Sequence, residues 1–141
     1  MDTNKGTFTF ELVSPERKLI SGPAQLVVIP GEEGDFGVLA GHSALVATIR
    51  PGVVEITMEG EAPQRIFIAG GFADVSPTNC TVLAEEAVML SDLNQADLEQ
   101  TIRNLTEDLT MAKDELEKSR ISRKLALTRA KLQGLTGKVA A

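Results

Sequence analysis

Near the start of the chain Phe8, Phe10 and Leu12 alternate with Thr7, Thr9 and Glu11, a period of two that sets the apolar side chains on one face of a strand. Short aliphatic runs follow, each closed by a turn signal. Leu19-Ile20 stops at Gly22-Pro23, Leu26 to Ile29 stops at Pro30-Gly31, and Leu45 to Ile49 stops at Pro51-Gly52. Val53 to Met58 and Arg65 to Ala69 are joined through Gly60, Ala62 and Pro63 at hairpin spacing. Phe72, Val75 and Cys80 to Ala84 continue the series beyond Gly70-Gly71, with a turn at Pro77-Thr78-Asn79. Turn signals every eight to twelve residues or so predict about eight to ten short strands, the pattern of a β-sandwich or flattened barrel.

At Ser91-Asp92 the period changes. Leu98, Ile102, Leu105, Leu109, Ala112 and Leu116 recur at alternating spacings of four and three, one apolar stripe along a helix. Asp92 with Gln95 has the form of a capping box, and so does Asp114 with Glu117. The stripe loses phase between Leu116 and Ile121, so two helices are expected, over 93–111 and 115–133, with Gly134 as the final cap. The fold class is therefore α+β, a β-sandwich over 1–90 followed by an antiparallel two-helix hairpin over 91–141. No Gly or Pro lies between Asp92 and Gly134, so side-chain contacts rather than a backbone breaker must hold the hairpin closed. Straightened, it would be one helix of about forty residues, about 60 Å long at about 1.5 Å per residue.

Gly31, Gly34 and Gly37 recur every third residue between the second and third aliphatic runs. Their spacing is neither the Walker nor the dinucleotide pattern, no Lys follows, and Glu32, Glu33 and Asp35 would repel an anion, so a shaped acidic loop is expected. Val38-Leu39 resumes strand composition before the corner Gly41-His42-Ser43-Ala44. His42 has no nucleophile, carboxylate partner or second metal ligand at suitable spacing; a surface contact or a local turn hydrogen bond is expected of it. Glu85 and Glu86 are sequence neighbours whose carboxylates do not converge on one proton.

With 141 residues and 43% apolar composition, but no Trp or Tyr, the sequence supports one ordinary domain or a sandwich with a small appendage, its core aliphatic. No apolar run reaches the length of a membrane span, and the N-terminus has neither a signal-peptide nor a transit-peptide pattern, so the protein is expected to stay where it is made. Cys80 is the single cysteine, which rules out an internal disulfide, suits a reducing cytoplasm and reads as a small strand residue. The net charge of −6 argues against nucleic acid. Residues 1–91 carry twelve acids and five bases, 92–117 eight acids and two bases, and 118–141 seven bases and no acid. Opposite charge on the two helices is expected to pair Glu99, Glu107 and Asp108 with bases of the second helix.

The ordered set of Gly31 to Gly37, the Gly41-His42 corner, Pro51-Gly52, Arg65 to Val75, Val82-Leu83-Ala84 and the helical C-terminus resembles the epsilon subunit family of bacterial and chloroplast F-type ATP synthases over nearly the whole sequence. The resemblance implies a subunit without chemistry or cofactor, lying at the foot of the central stalk against the gamma subunit and the c-ring, peripheral to the cytoplasmic face of the bacterial inner membrane. It implies partner contacts at Gly34, Asp35, Phe36 and Gly37 and at His42, with Asp35 in the acidic contact position. It further implies a regulatory contact of the basic second helix, through Arg120, Arg123, Lys124 and Arg129, with the catalytic alpha/beta subunits, weakly restraining ATP hydrolysis. Many members bind ATP through Ile/Leu-Asp-x-x-Arg-Ala; here Leu93-Asn94-Gln95-Ala96-Asp97-Leu98 replaces the Asp by Asn94 and the Arg by Asp97, so ATP is not expected to bind. The alternative class is a free-standing sandwich adaptor with a coiled-coil tail.

Overall fold

The structure is a computed structural model that describes residues 6–137. Nine strands and then two helices follow in sequence order, and they divide into two compact units, one ending at Val88 and one beginning at Met89.

The first unit is a β-sandwich whose last strand ends at Met89, the first residue of the second unit. Its strands are β1 (Phe8–Val13), β2 (Lys18–Gly31), β3 (Gly34–Val38), β4 (Leu45–Ile49), β5 (Gly52–Met58), β6 (Gln64–Ile68), β7 (Gly71–Val75), β8 (Asn79–Ala84) and β9 (Ala87–Met89). They pair in the order β1-β8-β7-β4-β2-β5-β6-β9, with β3 on β2. Because β1 pairs antiparallel with β2 and parallel with β8, the path β1-β8-β7-β4-β2 closes on itself, which removes most free sheet edges. The alternation read in the sequence is what fills the interior: Phe8, Phe10 and Leu12 of β1 are buried, as are Val27 and Ile29, Val54 and Ile56, Val75, and Cys80 with Val82.

Two sequence expectations change here. Lys18 to Gly31 is a single strand of 14 residues, not a short strand interrupted at Gly22-Pro23. The strand survives the proline because Pro23 keeps its carbonyl, which accepts from the Glu59 N–H at 2.9 Å, and loses only a donor. The glycine-rich stretch is likewise not an open loop. Only Glu32 and Glu33 turn; Gly34 already faces Gly31, Asp35 faces Pro30 and Phe36 faces Ile29 in an antiparallel hairpin. Gly31 permits that tight return, since a Cβ there would lie 2.7 Å from the Gly34 carbonyl oxygen and 2.9 Å from the Phe36 ring.

In the second unit α1 (Gln95–Met111) and α2 (Glu115–Thr136) pack on each other, and Leu105, Leu125 and Thr128 are buried. Both helix ends differ from expectation. The N-cap of α1 is Asn94, whose side chain accepts from the Asp97 N–H at 3.0 Å, so Asp92 does not cap it. Asp92 instead belongs to a short 3-10 turn, Leu90–Asp92. Gly134 lies within α2, which runs on to Thr136 and is capped by Gly137 in the left-handed region at φ 74. Asp114 caps α2 through the Glu117 N–H at 2.7 Å, as its sequence context requires. The expected interhelical pairs are absent: among the described residues Glu99, Glu107 and Asp108 form no ion pair, whereas Lys118 reaches Glu115 on its own helix at 3.7 Å. The hairpin packs through the apolar stripe, and Glu107 and Asp108 are left on its solvated side, where long charged side chains gain little by pairing.

Candidate partner-docking surface

The residues implied at the docking end of the sandwich come from β3 and the corner that follows it. Successive residues of a strand point to opposite faces, so β3 separates them. Phe36 turns inward, packs half-buried against the edge of the core and meets the His42 ring at 6.5 Å between centroids, tilted by 40°. Gly34, Asp35 and Gly37 are exposed. His42 is fixed by its own corner: its backbone N–H donates to the Leu39 carbonyl at 3.1 Å, and its Nδ1, protonated, donates to the Ser43 carbonyl at 2.7 Å. That leaves His42 a turn residue buttressed by Phe36, and Asp35 the charged group on the outer face.

Asp35 is not free. The Arg50 guanidinium, which follows β4 in sequence, donates from one arm to Oδ1 of Asp35 at 2.5 Å and from the other to the Gly31 carbonyl at 2.5 Å. Sequence alone does not single out Arg50, which precedes Pro51-Gly52 and belongs to no motif. Its signal lies only in the register that brings the end of β4 beside Gly31.

A second feature is equally hidden in the sequence. Phe72 and Leu83 face each other across β7 and β8, and Val13 faces Leu83 across β1 and β8, on the outer side of the sheet. Phe72 is 54% and Leu83 51% exposed, apolar surface that a lone domain normally covers. Phe72 and Leu83 alternate correctly with buried neighbours, but the period gives a face, not which face is buried.

On α2, Arg120, Arg123 and Lys124 are exposed and lie three and four residues apart, one face of a helix. Arg129 is set apart from them: it is half-buried, and its Nε has no hydrogen-bond partner among the described residues. At the start of α1, the Asn94 side chain that replaces the motif's Asp is occupied with capping, and Asp97 sits in the first turn, where its charge favours the helix dipole.

Among the described residues no group of three His, Cys, Asp or Glu side chains could hold a metal ion, and Cys80, buried in β8, has its thiol pushed up from 9.0 to about 12, by burial first and by Asp74 second. No helix among the described residues is long and apolar enough to cross a membrane.

The protein is thus a β-sandwich with an acidic tip and an apolar outer face, followed by a helical hairpin with one basic face. Comparison with known proteins gives the family. Residues 7–90 match the β-sandwich domain of the ATP synthase delta/epsilon chain, and residues 94–141 match the C-terminal domain of the ATP synthase epsilon chain. An ATP synthase epsilon chain of Rhodospirillum centenum is 46% identical over 128 residues, covering 87% of this sequence and 88% of its own. That of Rhodospirillum rubrum is 42% identical over 131 residues, covering 93% and 98%. A subunit in the Euglena gracilis mitochondrial ATP synthase structure containing OSCP, F1 and the c-ring superposes with TM-score 0.77 at 26% identity, over 87% of this protein and 78% of that one. A subunit from the Tetrahymena thermophila central stalk and c-ring shares the fold at TM-score 0.61 and 10% identity, over 92% and 96%. The protein belongs to the ATP synthase epsilon chain family, a non-catalytic subunit of that complex.

Proposed function

We propose that this protein is a rotor subunit of a bacterial F-type ATP synthase, docked against the gamma subunit and the c-ring at the foot of the central stalk. There it passes proton-driven rotation of the ring to the catalytic head. The observation that carries the reading is that the two family models match residues 7–90 and 94–141, alongside a 26% identical neighbour in a structure that holds F1 and the c-ring. The sandwich, residues 1–90, is the stalk- and ring-binding part, with Asp35, Gly34 and Gly37 turned to the ring and Phe36 and His42 supporting them. An acidic tip suits a polar ring loop that offers a cation, and the exposed Phe72-Leu83 face suits a protein partner. The helical part, residues 91–141, is regulatory: the face of Arg120, Arg123 and Lys124, with Arg129 behind it, meets acidic loops of the catalytic alpha/beta subunits and weakly restrains hydrolysis. On this reading the protein sits peripherally at the cytoplasmic face of the inner membrane.

The test is depletion and return. Complex from the native source, stripped of this subunit, should lose proton pumping relative to its ATP hydrolysis and regain it when the full-length protein is added back. Unchanged coupling in the stripped complex would overturn the reading.

A further inference from the structure

The turn of the β2–β3 hairpin is tied to the end of β4 at four points. Backbone bonds run from the Glu32 N–H to the Thr48 carbonyl at 2.9 Å and from the Arg50 N–H to the Pro30 carbonyl at 3.0 Å. The Arg50 guanidinium adds the other two, on the Gly31 carbonyl and on Oδ1 of Asp35, while Oδ2 of Asp35 has no partner among the described residues. Glu32 and Glu33 stand exposed on the same turn, and their carboxylates form no ion pair among the described residues. One carboxylate of three is held.

Stability does not explain the hold. The Arg50 and Asp35 side chains are 44% and 61% exposed, and a pair so solvated contributes little to folding. Geometry does. A guanidinium is a rigid planar fork whose two arms fix two acceptors relative to each other, which a lysine ammonium on a flexible stem does not reproduce.

We infer that Arg50 is a positioning residue for the ring contact: by holding one oxygen of Asp35 and the Gly31 turn, it aims the second oxygen at a cationic side chain of the partner. The inference rests on the proposed role of Asp35 as the acidic contact. The gain is preorganisation. An aspartate on an exposed edge strand between Gly34 and Phe36 samples several rotamers, and its ordering would be charged to binding; Arg50 orders it beforehand. It also selects Asp35 over Glu32 and Glu33 as the carboxylate in fixed position.

A double-mutant cycle on the full-length protein tests this. Wild type, Asp35→Asn, Arg50→Gln, Arg50→Lys and the Asp35→Asn/Arg50→Gln double variant are titrated at low salt onto ATP synthase complex stripped of this subunit. Asp35→Asn and Arg50→Gln should each weaken binding by about threefold to tenfold, and the double variant should be no weaker than Asp35→Asn. Arg50→Lys should bind within about twofold of Arg50→Gln, because charge without the fork does not aim the carboxylate. Amide hydrogen exchange at Glu32 in the free protein should quicken in Arg50→Gln while its melting temperature stays unchanged. Weakening by Arg50→Gln that persists in the Asp35→Asn background would make Arg50 a direct contact and overturn positioning. Full binding by Arg50→Gln beside weak binding by Asp35→Asn would overturn it while sparing the Asp35 contact. Unchanged binding by Asp35→Asn would overturn the contact, and positioning with it.

Discussion

Cys80 shows how a buried group leaves a measurable trace in the pH dependence of stability. The thiol lies in β8 among Phe10, Val75 and Val82, and forming a thiolate there would strip it of water beside the Asp74 charge, so its titration moves up to about 12. Unfolding restores the ordinary value near 9.0, which gives the sign of the pH dependence. Below that value both states hold the proton and nothing changes. Above it the unfolded protein releases the proton while the folded protein keeps it, so stability falls as pH rises from about 9 toward 12. Cys80→Ala lacks that component and should lose less stability over the same window; urea midpoints at steps between pH 8 and 11 or so compare the two. Parallel curves would mean the thiolate is solvated in the folded state. Gly71 is legible at the same scale only in the structure. Its φ of 152 and the overlap that a Cβ would make with the Leu83 carbonyl oxygen explain why Gly70-Gly71 interrupts the strand pattern without ending the sheet.

At the scale of elements, the hairpin depends on one capping side chain. Ala112, Lys113 and Asp114 lie between the helices, with Ala112 and Asp114 in extended conformations and neither Gly nor Pro to impose the break. Asp114 is what starts α2, by accepting the Glu117 N–H at 2.7 Å. Asp114→Ala should therefore destabilise the first turn of α2 by about 0.5–2 kcal/mol, which appears as a twofold to thirtyfold or so rise in Glu117 amide exchange. Unaltered exchange at Glu117 would show that packing alone sets the break. Strand count, sandwich and hairpin were legible because alternation and the four-three stripe are direct consequences of one-sided burial. Helix ends were not: Asp92 and Asn94 are equally good caps in isolation, and which one serves depends on where the preceding 3-10 turn leaves the backbone. The β2–β3 hairpin was hidden for a related reason, since Gly34 and Gly37 look like loop residues until β2 is there to pair with them. Arg50 was invisible because an isolated arginine becomes informative only through tertiary register.

For the whole molecule the decisive feature is a charge asymmetry that the fold does not use up. The stretch 118–141 carries seven bases and no acid against an otherwise acidic protein, yet Arg120, Arg123 and Lys124 make no ion pair among the described residues. A basic face complementary only to α1 would show pairs with Glu99, Glu107 or Asp108, and those acids are unpaired too. The face is thus available to another surface, and the proposed acidic loops of the catalytic subunits are its test. Arg123→Glu with Lys124→Glu changes the charge by two units at each position, on an exposed face where folding is little affected. Helicity and melting of the free protein should stay at wild-type values. In the reconstituted complex at low salt, ATP hydrolysis should rise by about twofold to fivefold, since a contact that attracted now repels. Raising ionic strength should shrink the difference, because charges at a solvated contact are screened within about 10 Å at 0.1 M salt. A rise that ignores salt would point to lost packing instead of lost charge. Equal hydrolysis at low salt, with the free protein intact, would remove the regulatory role from this face and leave α2 a partner of α1 alone.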